Sequence, residues 1–181
     1  MHKYAGLILA ITSSIASAEA DQRGQVYSEL DAMYFSSPGD FDGEQTMGLT
    51  FGYAFNSQHA IEAEMQVNGL DSEEYGFEAD ADLFTYLAGY RYNIERDNKF
   101  TYFVGAGVGY SRAEFYTAPD VRAKQDVTVG FFRAGLDYDF SENAYVSGEL
   151  RYQNFSDLNK NDVKYDIGGV PVVGISLGYW F

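Results

Sequence analysis

From residue 26 to the C-terminus the chain alternates apolar residues with polar or very small ones in eight separate segments. Successive side chains of an extended strand point to opposite faces, so a period of two predicts strands with one apolar face. In the first segment Val26, Leu30, Ala32 and Tyr34 oppose Tyr27, Glu29 and Asp31. The second sets Met47, Leu49, Phe51, Tyr53 and Phe55 against Thr46, Gly48, Thr50, Gly52 and Ala54. The third opposes Ile61, Ala63, Met65 and Val67 to Glu62, Glu64 and Gln66, and the fourth Phe84, Tyr86, Ala88, Tyr90 and Tyr92 to Thr85, Gly89 and Arg91. In the fifth, Tyr102, Val104, Ala106, Val108 and Tyr110 face away from Phe103, Gly105, Gly107, Gly109 and Ser111. The sixth sets Phe132, Ala134, Leu136, Tyr138 and Phe140 against Arg133, Gly135 and Asp137. The seventh opposes Val146, Leu150 and Tyr152 to Ser147, Glu149, Arg151 and Gln153. In the eighth, Val173, Ile175, Leu177, Tyr179 and Phe181 share a face opposite Val172, Gly174, Ser176, Gly178 and Trp180. In nearly every segment the charges and most glycines lie on the face that lacks the aromatics.

The connections alternate in length. Ser36–Glu44, Asn68–Asp82, Arg112–Asp126 and Asn154–Asp166 are long and polar, whereas Asn56–His59, Asn93–Lys99 and Ser141–Asn143 are shorter. Strands of about 9–11 residues, an even strand count, and long and short connections in turn describe a membrane barrel with both termini on the periplasmic side. The fold class expected is therefore all-β: an eight-stranded antiparallel transmembrane β-barrel, an up-and-down meander. A soluble barrel of lipocalin type would use the same apolar stripe inward and carry its charges outward. The opposite face decides between them, and its many glycines and few lysines suit a narrow packed lumen better than a water-facing surface. An uncharged last strand ending Gly178-Tyr-Trp-Phe181 points the same way, because the termini of soluble domains usually fray into water.

Composition changes the picture at three points. The N-terminus reads as a secretory signal: His2 and Lys3, an apolar stretch Tyr4–Ile11, and small residues Ala16-Ser17-Ala18. Residues 1–20 are assigned to it, with cleavage after Ala18 or after Ala20, and residues 21–181 to the barrel. The apolar stretch falls short of the roughly 20 residues a spanning helix needs. The mean hydropathy of −0.28 is uninformative, because alternating strands give little hydropathy signal. The absence of cysteine removes disulfides and thiolate metal sites, and a formal net charge of −15 argues against nucleic acid.

The Gly105-Ala-Gly-Val-Gly-Tyr110 strand and the Gly178-Tyr-Trp-Phe181 ending resemble the small outer-membrane β-barrel family that includes the OmpA transmembrane domain and OmpX. The resemblance covers the whole mature chain and is more specific for fold than for function. It implies the outer membrane of a Gram-negative bacterium and an assembly signal at Tyr179 and Phe181, read by periplasmic chaperones and the barrel assembly machinery. It implies contact with outer-membrane lipid and lipopolysaccharide, and a structural, adhesive or envelope-interacting role through the loops. Some members are small pores and a few are lipid-modifying enzymes. A monomer without a cofactor is expected.

Gly174-Ile-Ser176-Leu-Gly178 matches the G-x-S-x-G nucleophile pattern, but it lies inside the last strand, with no chain left for the helix such an elbow needs. The single histidine after the signal, His59, falls in a short turn, so catalysis is not expected. More informative is the charge set on the inward face: Glu29, Asp31, Glu62, Glu64, Asp137 and Glu149 with Arg91, Arg133 and Arg151. Buried charges must be paired, and an eight-stranded interior is just wide enough for side chains to fill it. The first reading is a polar plug. The alternative is a small channel with weak cation preference, in which the Arg133–Glu149 contact is the constriction and Arg133→Ala raises conductance. The long connections are acidic: Asp40, Asp42 and Glu44 in the first; Asp71, Glu73, Glu74, Glu78, Asp80 and Asp82 in the second. Oxygen ligands at this density can hold divalent cations, though acidic loops are more often solvated faces and no metal site is assigned. Phe115 and Tyr116 in the third connection are candidates for contact with an extracellular partner.

Overall fold

The computed structural model describes residues 25–35, 45–72, 79–97, 99–117, 121–156, 158–160, 163–165 and 169–181. Residues 1–20, read from the sequence as a secretory signal with cleavage after Ala18 or Ala20, lie outside them. Among the described residues there are ten strands: β1 (Gln25–Phe35), β2 (Gln45–Ala54), β3 (His59–Ser72), β4 (Ala79–Asp97), β5 (Phe100–Thr117), β6 (Val121–Asp139), β7 (Ala144–Phe155), β8 (Leu158–Lys160), β9 (Val163–Tyr165) and β10 (Gly169–Trp180). Eight of them close a barrel in the order β1-β10-β7-β6-β5-β4-β3-β2, every pair antiparallel. The two short strands pair with each other as a ribbon within the connection from β7 to β10.

The faces are inverted relative to a water-soluble barrel. Phe132 is 72% exposed and Val108 and Leu150 66%, whereas Glu29 is 3% and Arg91 2% exposed. Apolar side chains outward and charges inward is the arrangement of a barrel surrounded by hydrocarbon, and it excludes the lipocalin-type alternative. Rings gather near both ends of the outer face. Tyr86 stacks on Tyr110 with centroids 5.2 Å apart towards the long connections. Tyr53–Phe55, Phe100–Tyr138 and Tyr179–Phe181 pair at the end carrying the short turns.

Two of the polar stretches read from sequence as connections are largely strand. Pairing continues without a break through Asp71↔Asp80 to Ser72↔Ala79, and through Glu114↔Lys124 to Thr117↔Val121. The segment read as the link Asn93–Lys99 also pairs, as far as Asp97, with a register irregularity between Ile94 and Asp97. The physical reason is the end of the hydrocarbon. The 19 residues of β4 and of β6, at about 3.3 Å each and tilted about 40°, reach roughly 48 Å along the barrel axis, against an apolar band of about 25 Å. Beyond that band backbone pairing persists while the demand for an apolar face lapses. β1, β2, β7 and β10, with 10–12 residues, are only long enough to span it.

Large inward rings need room, and glycines directly across the ladder supply it. Tyr27 pairs with Gly52 and Tyr145 with Gly178, and a Cβ on either glycine would enter the tyrosine ring.

Candidate functional site: a capped and charged lumen

All nine charged residues of the inward set are buried in the lumen, between the two ends of the barrel. They come from β1, β3, β4, β6 and β7 because each stands at an inward position of its strand. Arg91 (β4) is the hub at the short-turn side. Its Nη1 donates to Glu29 at 3.0 Å and lies 3.8 Å from Glu62; Nη2 donates to Asp137; Nε donates to Asn93 at 2.8 Å. The guanidinium also lies 3.8 Å from the centroid of the Phe103 ring, a cation–π stack in a dry interior. Arg133 (β6) crosses the bore to Glu62 and reaches Glu149 of the neighbouring β7 at 3.2 Å. Arg151 (β7) crosses to Glu64 at 2.8 Å and makes an ion-pair contact of 2.9 Å with Glu149.

These contacts form a chain along the bore. The Tyr27 hydroxyl donates to Glu62 (2.5 Å); Glu62 meets Arg133; Arg133 meets Glu149; Glu149 meets Arg151; Arg151 meets Glu64. Gln66 then donates to Glu64 (2.6 Å) and Gln153 to Gln66 (3.3 Å). The Tyr145 hydroxyl joins through Glu29 at 2.7 Å. Asp31 stands apart. Thr50 donates to it at 2.9 Å, but no guanidinium among the described residues is within ion-pair distance.

Apolar clusters cover the charged layer at both ends. Towards the short turns, Tyr27, Ala54, Ala60 and Tyr145 pack with Trp180, whose ring lies 4.6 Å from that of Tyr27 and 5.9 Å from that of Tyr145. Towards the long connections, Met33, Phe35, Leu87, Val127, Val129, Phe131, Phe155, Val170 and Val172 form a cap in which every member is at most 5% exposed. The Arg133–Glu149 contact, expected from sequence as the constriction if the lumen conducts, stands beside two apolar clusters, and Arg133 is held by Glu62 as well. Sequence alone had not indicated these caps. The alternation had put Tyr27, Phe103 and Trp180 on the inward face one at a time; Phe131 and Tyr145 join them there, and which rings gather at which end follows only from closure of the barrel.

The other candidate residues fall elsewhere. Ser176 is buried mid-strand opposite Asp31, and His59 opens β3 on the outer face, so the G-x-S-x-G match builds no catalytic pair. Tyr179 is exposed on the outer face, and Phe181 donates its backbone N–H to the Val26 carbonyl at 2.9 Å, extending the seam between β1 and β10. Asp71, Asp80 and Asp82 lie on the paired ends of β3 and β4, while Asp40, Asp42, Glu44, Glu73, Glu74 and Glu78 lie outside the described residues. Phe115 and Tyr116 belong to β5, paired with Ala123 and Arg122. On the outer face beyond the Tyr86–Tyr110 stack, Arg112 donates to both carboxylate oxygens of Asp126, at 2.8 and 3.2 Å. That hydrogen-bonded fork holds the Asp126 carboxyl below the ordinary aspartate range.

Solved structures with the same architecture have little sequence in common with the chain. Neisserial surface protein A superposes with a TM-score of 0.62 at 14% identity, over 87% of this chain and 95% of that one. The N-terminal β-barrel domain of Pseudomonas aeruginosa OprF gives 0.59 at 18%, over 89% and 100%. Ail, the attachment invasion locus protein of Yersinia pestis, gives 0.55 at 17%, over 90% and 100%. Identities this low establish the fold alone. No curated protein matches the sequence. The family question is settled by the sequence pattern instead: the outer membrane protein beta-barrel domain matches from residue 5 to residue 181, so the chain belongs to that family and its place is the outer membrane.

Proposed function

We propose that this barrel is a closed, monomeric outer-membrane scaffold that acts through what it displays outside the cell, in a structural, adhesive or envelope-interacting role. The observation that carries this reading is the lumen: a charged layer with its arginines all paired, covered by apolar clusters on both sides. Side chains that fill an eight-stranded bore leave no continuous path for water. Its expected contacts are outer-membrane lipid and lipopolysaccharide, with periplasmic chaperones and the assembly machinery during biogenesis and an extracellular partner afterwards. Catalysis forms no part of the proposal.

Charge narrows the kind of partner. Between Gly24 and Tyr90 the chain has no lysine or arginine, and its first two long connections carry nine acids: Asp40, Asp42, Glu44, Asp71, Glu73, Glu74, Glu78, Asp80 and Asp82. Ail has been solved with a heparin analogue, sucrose octasulfate. A polyanion suits a basic surface, so this chain's partner is expected to be cationic or bridged by divalent cations.

A second reading, a channel with weak cation preference, rests on six inward carboxylates against three arginines. Planar-bilayer recording separates the two. The refolded mature barrel should show no conductance steps at moderate voltage. Reproducible open-state current from the wild-type chain would overturn the scaffold reading and favour the channel.

A further inference from the structure

His59 sits where few imidazoles are expected: on the outer face, at the first residue of β3, among rings that face lipid. Its ring centroid is 5.3 Å from that of Tyr92 and 5.9 Å from that of Tyr90. Tyr53, Phe55, Ile61 and Tyr90 around it are 42–48% exposed. The backbone beneath is pinned. Asn56 Oδ1 accepts from the Gln58 and His59 amides at 2.9 and 3.0 Å, the Phe55 amide donates to the His59 carbonyl, and the Asn93 amide donates to the Gln58 carbonyl. The imidazole is therefore held in place by two strands and a rigid turn.

Its tautomer follows from its partner. Nδ1 is hydrogen-bonded to the Tyr90 hydroxyl. The phenol is the stronger donor, and in the neutral ring whose Nδ1 accepts from it the N–H is on Nε2. That N–H is on the opposite edge of the ring from Tyr90. It lies in the aromatic girdle at the short-turn end, the depth at which acyl chains give way to headgroups in the periplasmic leaflet. The strongest acceptor at that depth is a phosphodiester oxygen. Within an acidic protein the segment Phe51–Ile61 contains no carboxylate; on the paired β4, Glu95 and Asp97 flank Arg96 beyond Tyr92. The exposed Tyr53 and Ile61 side chains offer a bed for an acyl chain.

We infer that His59, held by Tyr90 and flanked by Tyr92, binds the phosphodiester of a phospholipid of the periplasmic leaflet. This is independent of what the loops do outside. Tyr90 is a positioning residue, because its hydroxyl sets which nitrogen donates.

His59 is the one histidine after the signal segment, so ¹⁵N-histidine labelling reports this ring alone. In nanodiscs of phosphatidylethanolamine and phosphatidylglycerol, solid-state NMR should show ¹⁵Nε2–³¹P dephasing. In phosphorus-free maltoside micelles with inorganic phosphate it should not. Native mass spectrometry should show roughly ten- to a hundredfold less retained phosphatidylglycerol for His59→Phe, the loss of one hydrogen bond to a charged group. Tyr90→Phe should weaken the dephasing while leaving heat-modifiable migration intact. No Nε2–³¹P contact in the bilayer would overturn the assignment, and so would equal contact with inorganic phosphate, which would mark an adventitious anion site only.

Discussion

Replacing Arg133 tests how the lumen is held. Its guanidinium joins Glu62 across the bore to Glu149 on the adjacent strand, and lies 5.4 Å from the Phe103 centroid. Arg133→Ala removes the cation and leaves both carboxylates buried, each 4–6% exposed at the side chain. Breaking one buried pair costs about 3–5 kcal/mol, because the remaining charge keeps its desolvation penalty. Glu62 retains Arg91 at 3.8 Å and the Tyr27 hydroxyl, and Glu149 retains Arg151. That residual pairing places the expected loss near about 4 kcal/mol rather than at the sum for two broken pairs. With an m-value of about 2 kcal/mol/M, the urea midpoint in detergent or lipid should fall by about 2 M. Trp180, the single tryptophan, reports the transition, since its packing on Tyr27 and Tyr145 requires closure of β10 onto β1 and β7. Combining Arg133→Met with Glu62→Gln should recover part of the loss, because no carboxylate then faces the missing cation except Glu149, which keeps Arg151. Conductance should stay silent in all these variants, because Val129, Phe131, Val170 and their neighbours still cover the charged layer. A loss below about 1 kcal/mol, or no recovery in the double variant, would refute the network account. Open-channel current from Arg133→Ala would refute the account of the caps.

Asp31→Asn should leave the urea midpoint unchanged or raise it, whereas Glu62→Gln should lower it, because Asp31 alone among the inward acids lacks a guanidinium partner among the described residues. Gly178→Ala should cost about 1–3 kcal/mol by driving a Cβ into the Tyr145 ring, and should shift Trp180 emission in the folded barrel. Asp126 should titrate below the ordinary aspartate range by carboxyl NMR and return to it in Arg112→Ala. Its folded-state affinity for protons is depressed, so any contribution to stability is present above the unfolded pKa and fades as pH falls through the folded one. The exposed setting of that pair makes the effect on the melting curve small. Deleting Phe181 should reduce the amount of barrel in the outer membrane of cells while changing refolded stability little; equal levels in cells would remove the assembly role assigned to it.

What could be read from the sequence and what could not divide along a physical line. The apolar faces of Met47–Phe55 or Val173–Phe181 were legible because hydrocarbon tolerates no charge along the whole depth of a strand. The ends of β3 to β6 were not, since above the membrane a paired strand can carry Asp71 and Asp80 without placing charge in hydrocarbon. The inward charges could be assigned to a face by alternation, but their partners could not. Glu149 is adjacent to Arg133 through the β6–β7 ladder, a pairing visible from strand order alone, whereas Glu62 meets Arg133 only because the sheet closes.

The same closure explains why the charges are distributed unevenly along the chain. β1 and β3 contribute Glu29, Asp31, Glu62 and Glu64, and no lysine or arginine occurs before Arg91 in the barrel strands. β4, β6 and β7 contribute the three arginines. Glu62 has Arg91 on the neighbouring β4, whereas Glu29 and Glu64 find their counter-charges across the completed bore, as Glu62 finds its second in Arg133. A one-residue slip of any strand would turn its charges into lipid and its apolar side chains into the lumen. Pairing across the bore thus selects the closed register over its neighbours, and the same arginines that select it also fill the space a channel would need.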